Sequence, residues 1–248
     1  LDVKVLHWPI DANYDLVHLV DIWNVPKIYK AFSFANTLGE VLNRDIIVVM
    51  HIGGSLSLLK RMGVLDRLKK DIEDILKEYP RVIIGFENSM NYFVEAGVVV
   101  VAEDLSQSIN YFVRDLKSSI NPTVSKRIGL VLDTCHALTA IRFTQVLESN
   151  YNFPKCNLSL KKYFEWFKDD LILIHLANAN GIGYGYKDHA TTFKTDKDIE
   201  LLNEIMEYIK DINYNGLITL EVNETDYNNS LNWEKTYKQV QNILNKMN

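Results

Sequence analysis

RIGLVLDTCHA, residues 127–137, opens as a run of apolar and β-branched residues and closes on an aspartate, a threonine, a cysteine and a histidine. Apolar side chains on both faces are the mark of a buried parallel strand. The polar groups crowded at its end need a reason, because a carboxylate taken out of water without a partner is strongly unfavourable. Five further runs repeat the pattern: VKVLHW (3–8), DIIVVMHIG (45–53), RVIIGFEN (81–88), LILIHLAN (171–178) and GLITLEVN (216–223). Between them lie segments with helical period, among them SLLKRMGVLDRLKKDIEDILKEY (57–79), SQSINYFVRDLKSSI (106–120) and DIELLNEIMEYIKDI (198–212). Alternating strands and helices, without low-complexity linkers, predict a single α/β domain over residues 1–248. A TIM (β/α) barrel is favoured over an open doubly wound sheet.

Composition agrees with a globular enzyme-sized domain: 248 residues, 47% hydrophobic and 24% charged. The formal charge of −5 excludes a uniformly basic nucleic-acid surface, but leaves room for an acidic site neutralised by metal ions. Two cysteines, Cys135 and Cys156, make no disulfide framework, so a reducing, cytoplasmic setting is expected. No apolar run reaches membrane-spanning length, and no membrane partner is expected. The chain enters a strand-like pattern directly from Leu1, from which an upstream segment is expected.

In a parallel barrel the C-terminal strand ends open onto one face. Each run finishes there with a metal-competent or acid–base residue: His7, His51, Glu87, Asp133 followed by His136, His175, and Glu221. Of the six histidines four sit at such ends, His189 lies in a loop just beyond one, and His18 has no evident place. Taken singly, a strand-end histidine such as His7 is more often a hydrogen-bonded structural residue than a ligand. Glu87 and Glu221 are harder to read that way, since each closes an apolar strand with a negative charge. Together, carboxylates and imidazoles suit hard to borderline divalent ions such as zinc or manganese.

The DTCHA turn at 133–137 resembles the corresponding strand end of the endonuclease IV family of zinc-dependent abasic-site nucleases, AP endonuclease family 2 in the xylose isomerase-like TIM barrel superfamily. The order LHWP, MHIGGS, FEN, DTCH, IHL and LEV is similar across nearly the whole chain. That resemblance implies a TIM barrel that binds two or three Zn2+ and cleaves DNA at abasic sites through a metal-activated water. It implies a first ion on His7, His51 and Glu87, and a second sharing Glu87 with Asp133, His175 and Glu221. A third would take His136 with Asp188 and His189. The LHWP strand is similar to the family's third, so two strands are expected before Leu1, and a sheet lacking them would have an open edge. The chain departs from the family at four places. Asp188 and His189 are adjacent where an Asp-x-His spacing is usual; SMNYFVEAGVVVVAEDL replaces a glycine-rich loop; ANAN replaces an Asn-Asp pair; and a Gly-Glu-Gly turn is absent.

A rival reading within the same superfamily is a sugar isomerase or epimerase holding one Mn2+ or Mg2+ on Glu87, Asp133, His175 and Glu221. Glu87 and Glu221 would then be the catalytic pair, exchanging a proton beside a carbonyl, and the partner would be a small sugar. A noncatalytic binding protein is a third reading, but a protein needing only shape has no use for carboxylates at strand ends. Cys135 is expected to pack rather than react, and Lys60, Arg61, Lys69 and Lys70 to line solvated helix faces.

Overall fold

The computed structural model describes residues 2–7, 25–51, 64–88, 92–95, 98–101, 105–150, 157–180, 191–226 and 228–247. The chain divides into two compact units, Leu1–Asn88 with Phe93–Val131, and Ser89–Tyr92 with Leu132–Asn248.

Through the first unit run β1 (Val5–His7), α1 (Val25–Leu42), β2 (Ile46–Met50), α2 (Val64–Glu78), β3 (Val82–Glu87), all but the first residue of β4 (Tyr92–Glu95), β5 (Val98–Val101), α3 (Leu105–Ser119), α4 (Pro122–Ser125) and the first residues of β6 (Ile128–Asp133). Its sheet runs β1-β2-β3-β6. All pairs are parallel, with Val5 opposite Ile47, Ile46 opposite Val82 and Ile84 opposite Ile128. β2 is IIVVM with every residue buried. Such a strand is stable only when both faces are covered, as crossover helices do. α2 supplies Leu68, Ile72, Ile75 and Leu76 to the core, at the i, i+4, i+7, i+8 spacing of one helical face. Each side chain buried in this way contributes roughly 1.5–3 kcal/mol.

Two features stop helices where strands must begin. Past α1, Arg44 N donates to Gly39 O at 3.0 Å and Asn43 takes a left-handed φ of 49°. The turn is so tight that a Cβ on Gly39 would lie 2.7 Å from Arg44 O. At the end of α2 the half-buried Arg127 guanidinium donates to Leu76 O, to Tyr79 O at 2.8 Å and to Val82 O at 3.2 Å. One side chain thus occupies carbonyls that the last helical turn leaves over. Burial lowers the Arg127 pKa, and Asp45 opposes that shift.

The second unit contains the end of β6, then α5 (Thr134–Asn150), α6 (Leu160–Phe167), β7 (Leu171–Leu176), α7 (Asp196–Asp211), β8 (Leu217–Leu220) and α8 (Leu231–Met247). β6 neighbours β7, and β7 pairs in parallel with β8 with Leu173 opposite Leu217. Tyr163, Phe164 and Phe167 of α6, with Leu202, Ile205 and Met206 of α7, are almost fully buried. α7 begins on a capping box: the Thr195 hydroxyl accepts from Asp198 N while the Asp198 carboxylate accepts from Thr195 N. This local pairing explains why the helix starts at Asp196, two residues before the period alone suggests.

The six apolar runs become the six strands of these sheets, and the helical segments at 106–120 and 198–212 become α3 and α7. Of the segment 57–79, residues 57–63 lie outside the described residues. The structure differs at SMNYFVEAGVVVVAEDL, read from sequence as an altered loop. Here β4 and β5 form a separate two-stranded sheet, in keeping with the run of four valines, whose branched side chains favour extended backbone.

Candidate metal centre

In the first unit, strand register places three ligand-type residues together. His7 is opposite Val49, and Met50 is opposite Phe86, so the next step along both strands sets His51 level with Glu87. Side chains two residues apart on a strand face the same way, which puts His7, Val49 and His51 on one face. The outcome is a shared contact: His51 Nε2 lies 2.9 Å and His7 Nε2 3.3 Å from the same Glu87 oxygen, Oε2. The two imidazole rings are 5.8 Å apart and tilted at 49°. Glu87 and His51 are buried, at 1% and 5% exposure, whereas His7 is open to solvent.

The second unit gathers Asp133, His175 and Glu221. β6 ends on Asp133, whose Oδ1 accepts from His136 N at 2.6 Å. Asp133 is therefore the N-cap of α5, and its charge sits where the helix dipole favours an anion. His175 lies opposite Thr219, and Glu221, two residues further on, shares that face. Glu221 N also donates to Leu176 O at 3.2 Å, which extends the β7–β8 pairing by one step. His175 Nδ1 then meets Glu221 Oε2 at 3.1 Å. His136 is buried, with Nδ1 3.9 Å from Asp133 Oδ1. Asp188 and His189, expected from the resemblance to reach a third ion, lie outside the described residues, as do His18 and Cys156.

The donor sets fit a divalent ion. Ligand atoms of His7, His51 and Glu87 lie within 4.8 Å of one another, and so do those of Asp133, His175 and Glu221. Ion-to-donor bonds of about 2.0–2.2 Å hold neighbouring donors roughly 3–4.5 Å apart, a spacing that small side-chain rotations reach. An imidazole nitrogen can ligate a metal only through a lone pair that carries no proton. Cys135, between Thr134 and His136 in the turn, is fully buried and packs. Lys69 is drawn to Asp115 and Asp66 on the surface. Among the described residues no helix is long and apolar enough to cross a membrane.

Sequence reasoning passed over the polar residues that fasten these strand ends. Asn178, two residues beyond β7, exchanges both backbone hydrogen bonds with Thr191 and donates from its side chain to Asp198 at 2.8 Å. Glu224 accepts from Asn232 N and Trp233 N at the start of α8, fixing the segment that follows Glu221. The Thr195-x-x-Asp198 capping pattern was visible as a signal; the Asn178 bridge, made to residues far along the chain, had none.

A family model for the xylose isomerase-like TIM barrel matches residues 28–247. The chain belongs to that family. Membership makes the parallel strands part of a TIM barrel, as their alternation with helices predicted. No curated protein matches the sequence. Among solved structures, a D-tagatose 3-epimerase-like protein superimposes with a TM-score of 0.57 at 19% identity, over 99% of this chain and 80% of that one. A sugar phosphate isomerase/epimerase from Parabacteroides distasonis ATCC 8503 does so with a TM-score of 0.51 at 10% identity, over 95% and 71%. Both share the fold of this xylose isomerase-like chain.

Proposed function

We propose that the protein is a divalent-metal-dependent isomerase or epimerase of a small sugar or sugar phosphate. The observation that carries the reading is that two strand-end glutamates are each met by a strand-end histidine, Glu87 by His51 at 2.9 Å and Glu221 by His175 at 3.1 Å. Moving a proton at a carbon beside a carbonyl takes two such groups, one to remove it and one to return it. The names of the two structural relatives, both from sugar epimerase or isomerase classes, support the same chemistry. Asp133, His175 and Glu221 would hold the ion, with Glu87 as the further ligand the sequence suggests. Bound there, the ion would polarise the oxygens of the sugar's carbonyl and adjoining hydroxyl. His51 and His7 orient Glu87 by hydrogen bonding to a single oxygen, and the burial of Glu87 and His175 keeps bulk water from their inner atoms.

A second reading has its own observation. His7, His51 and Glu87 form a complete three-ligand set in themselves, as the resemblance to endonuclease IV requires for another zinc and for hydrolysis of a phosphodiester at abasic DNA. One experiment separates the two. The purified chain is loaded with Mn2+ or Zn2+, its metal content measured, and then offered ketoses and their phosphates in D2O or an oligonucleotide with one abasic site. One ion per chain with solvent deuterium entering the sugar beside its carbonyl is the expected result. Two or more ions, with strand cleavage and no deuterium exchange, would replace it with the nuclease reading.

A further inference from the structure

We infer that Thr134, the second residue of the DTCH turn, is a positioning residue that sets the distance between Asp133 and His175. The inference rests on the reading of those two residues as ligands of one ion. Thr134 is completely buried. Its hydroxyl oxygen accepts from Ala177 N at 3.0 Å and donates to Ala177 O at 2.7 Å, with His175 O a longer alternative acceptor at 3.3 Å. β7 ends at Leu176, and Ala177 is itself fully buried. The backbone groups just past the ladder are therefore served by a side chain from the start of α5.

One hydroxyl can do this because it is both donor and acceptor. It fits between the two strand ends like a ladder rung, with Asp133 one residue before it on one side and His175 two residues before Ala177 on the other. Neither ligand needs a direct contact with Thr134 for its backbone to be fixed by it. Removing the rung leaves the buried Ala177 amide and carbonyl to find other partners, which they can do only by shifting the end of β7 and His175 with it. Partners behind metal ligands, when lost, commonly weaken binding by about 10–100-fold.

The test compares the full-length wild type, Thr134→Val and Thr134→Ser. Valine keeps the shape and loses the hydroxyl; serine keeps the hydroxyl. Zn2+ and Mn2+ affinities are measured by competition with a chromophoric chelator, and visible absorption bands are recorded with Co2+ bound. Thr134→Val is expected to bind roughly 10–100-fold more weakly, with displaced Co2+ bands, while Thr134→Ser keeps both near wild type. Unchanged affinity and bands in Thr134→Val would overturn the inference and leave the metal reading standing, because that is the outcome of a purely structural role. A wild type that binds neither ion would overturn both. Should the valine variant fail to fold, Thr134→Ser and Thr134→Ala differ by the hydroxyl alone. An equal affinity of that pair would also overturn the inference.

Discussion

Glu87 carries more of the proposed chemistry than any other residue, since His7 and His51 converge on one of its oxygens. Glu87→Gln keeps the shape and gives up the charge, so turnover should fall by about 10²–10⁴-fold, the range for loss of a general acid or base. Bound metal should fall with it; unchanged metal content, read by elemental analysis, would remove Glu87 from the ligand set. His51 gives the finer discrimination. If His51 only orients Glu87, His51→Gln should lower kcat while metal stays at one ion per chain. If it is a ligand in its own right, the same variant should lose an ion from a set of two. The residues of this centre were legible in the sequence because each closes an apolar strand with a group that apolar surroundings do not tolerate. Which atoms would meet was not legible. That both imidazoles choose Oε2 of Glu87 follows from strand register and side-chain rotation, and neither is written in residue types.

Among the elements, strands were easier to read than the devices that terminate helices. Runs such as IIVVM and VIIGFE have no polar face, which leaves buried parallel strands as their natural state. The β4–β5 pair escaped because SMNYFVEAGVVVV interrupts its extended pattern with small and polar residues. α7 shows how local chemistry fixes an element and then reaches the site. Burial pushes the Asp198 pKa up, but hydrogen bonds with Thr195, Asn178 and Lys194 outweigh it and hold the carboxyl below its ordinary value. A carboxyl with a depressed folded pKa contributes stability above its unfolded pKa of about 3.9. That contribution is lost as pH falls through the folded value. Asp198→Asn should therefore cost about 1 kcal/mol at pH 7, the net scale of a hydrogen bond, and the difference from wild type should shrink below about pH 4. Urea denaturation at several pH values measures it; a penalty independent of pH would assign the effect to packing.

For the whole molecule, a bound ion is a ligand of the folded state alone. At a free concentration about 100 times Kd it should add about 2.7 kcal/mol, or roughly 5–10 °C in Tm for a chain of this length. Chelation should reverse the gain. A metal-bound imidazole carries no proton on its ligating nitrogen, so at about pH 6, where free histidine is partly protonated, calorimetry in buffers of different ionisation enthalpy should detect proton release if histidines are among the ligands. A heat that does not vary with buffer would argue for carboxylates alone as ligands. The barrel itself was legible from the alternation of elements, and the family match bears it out; the reaction was not, since one fold hosts many chemistries and only the site chooses among them. Asp133 has a second duty that bears on any study of that site: it opens α5 by accepting from His136 N. Deleting its side chain would unravel a helix start and strip a ligand in one stroke, and the damage could be mistaken for a catalytic effect. Asparagine at 133 would still offer an oxygen to the first turn while surrendering the negative charge, and so would part architecture from chemistry.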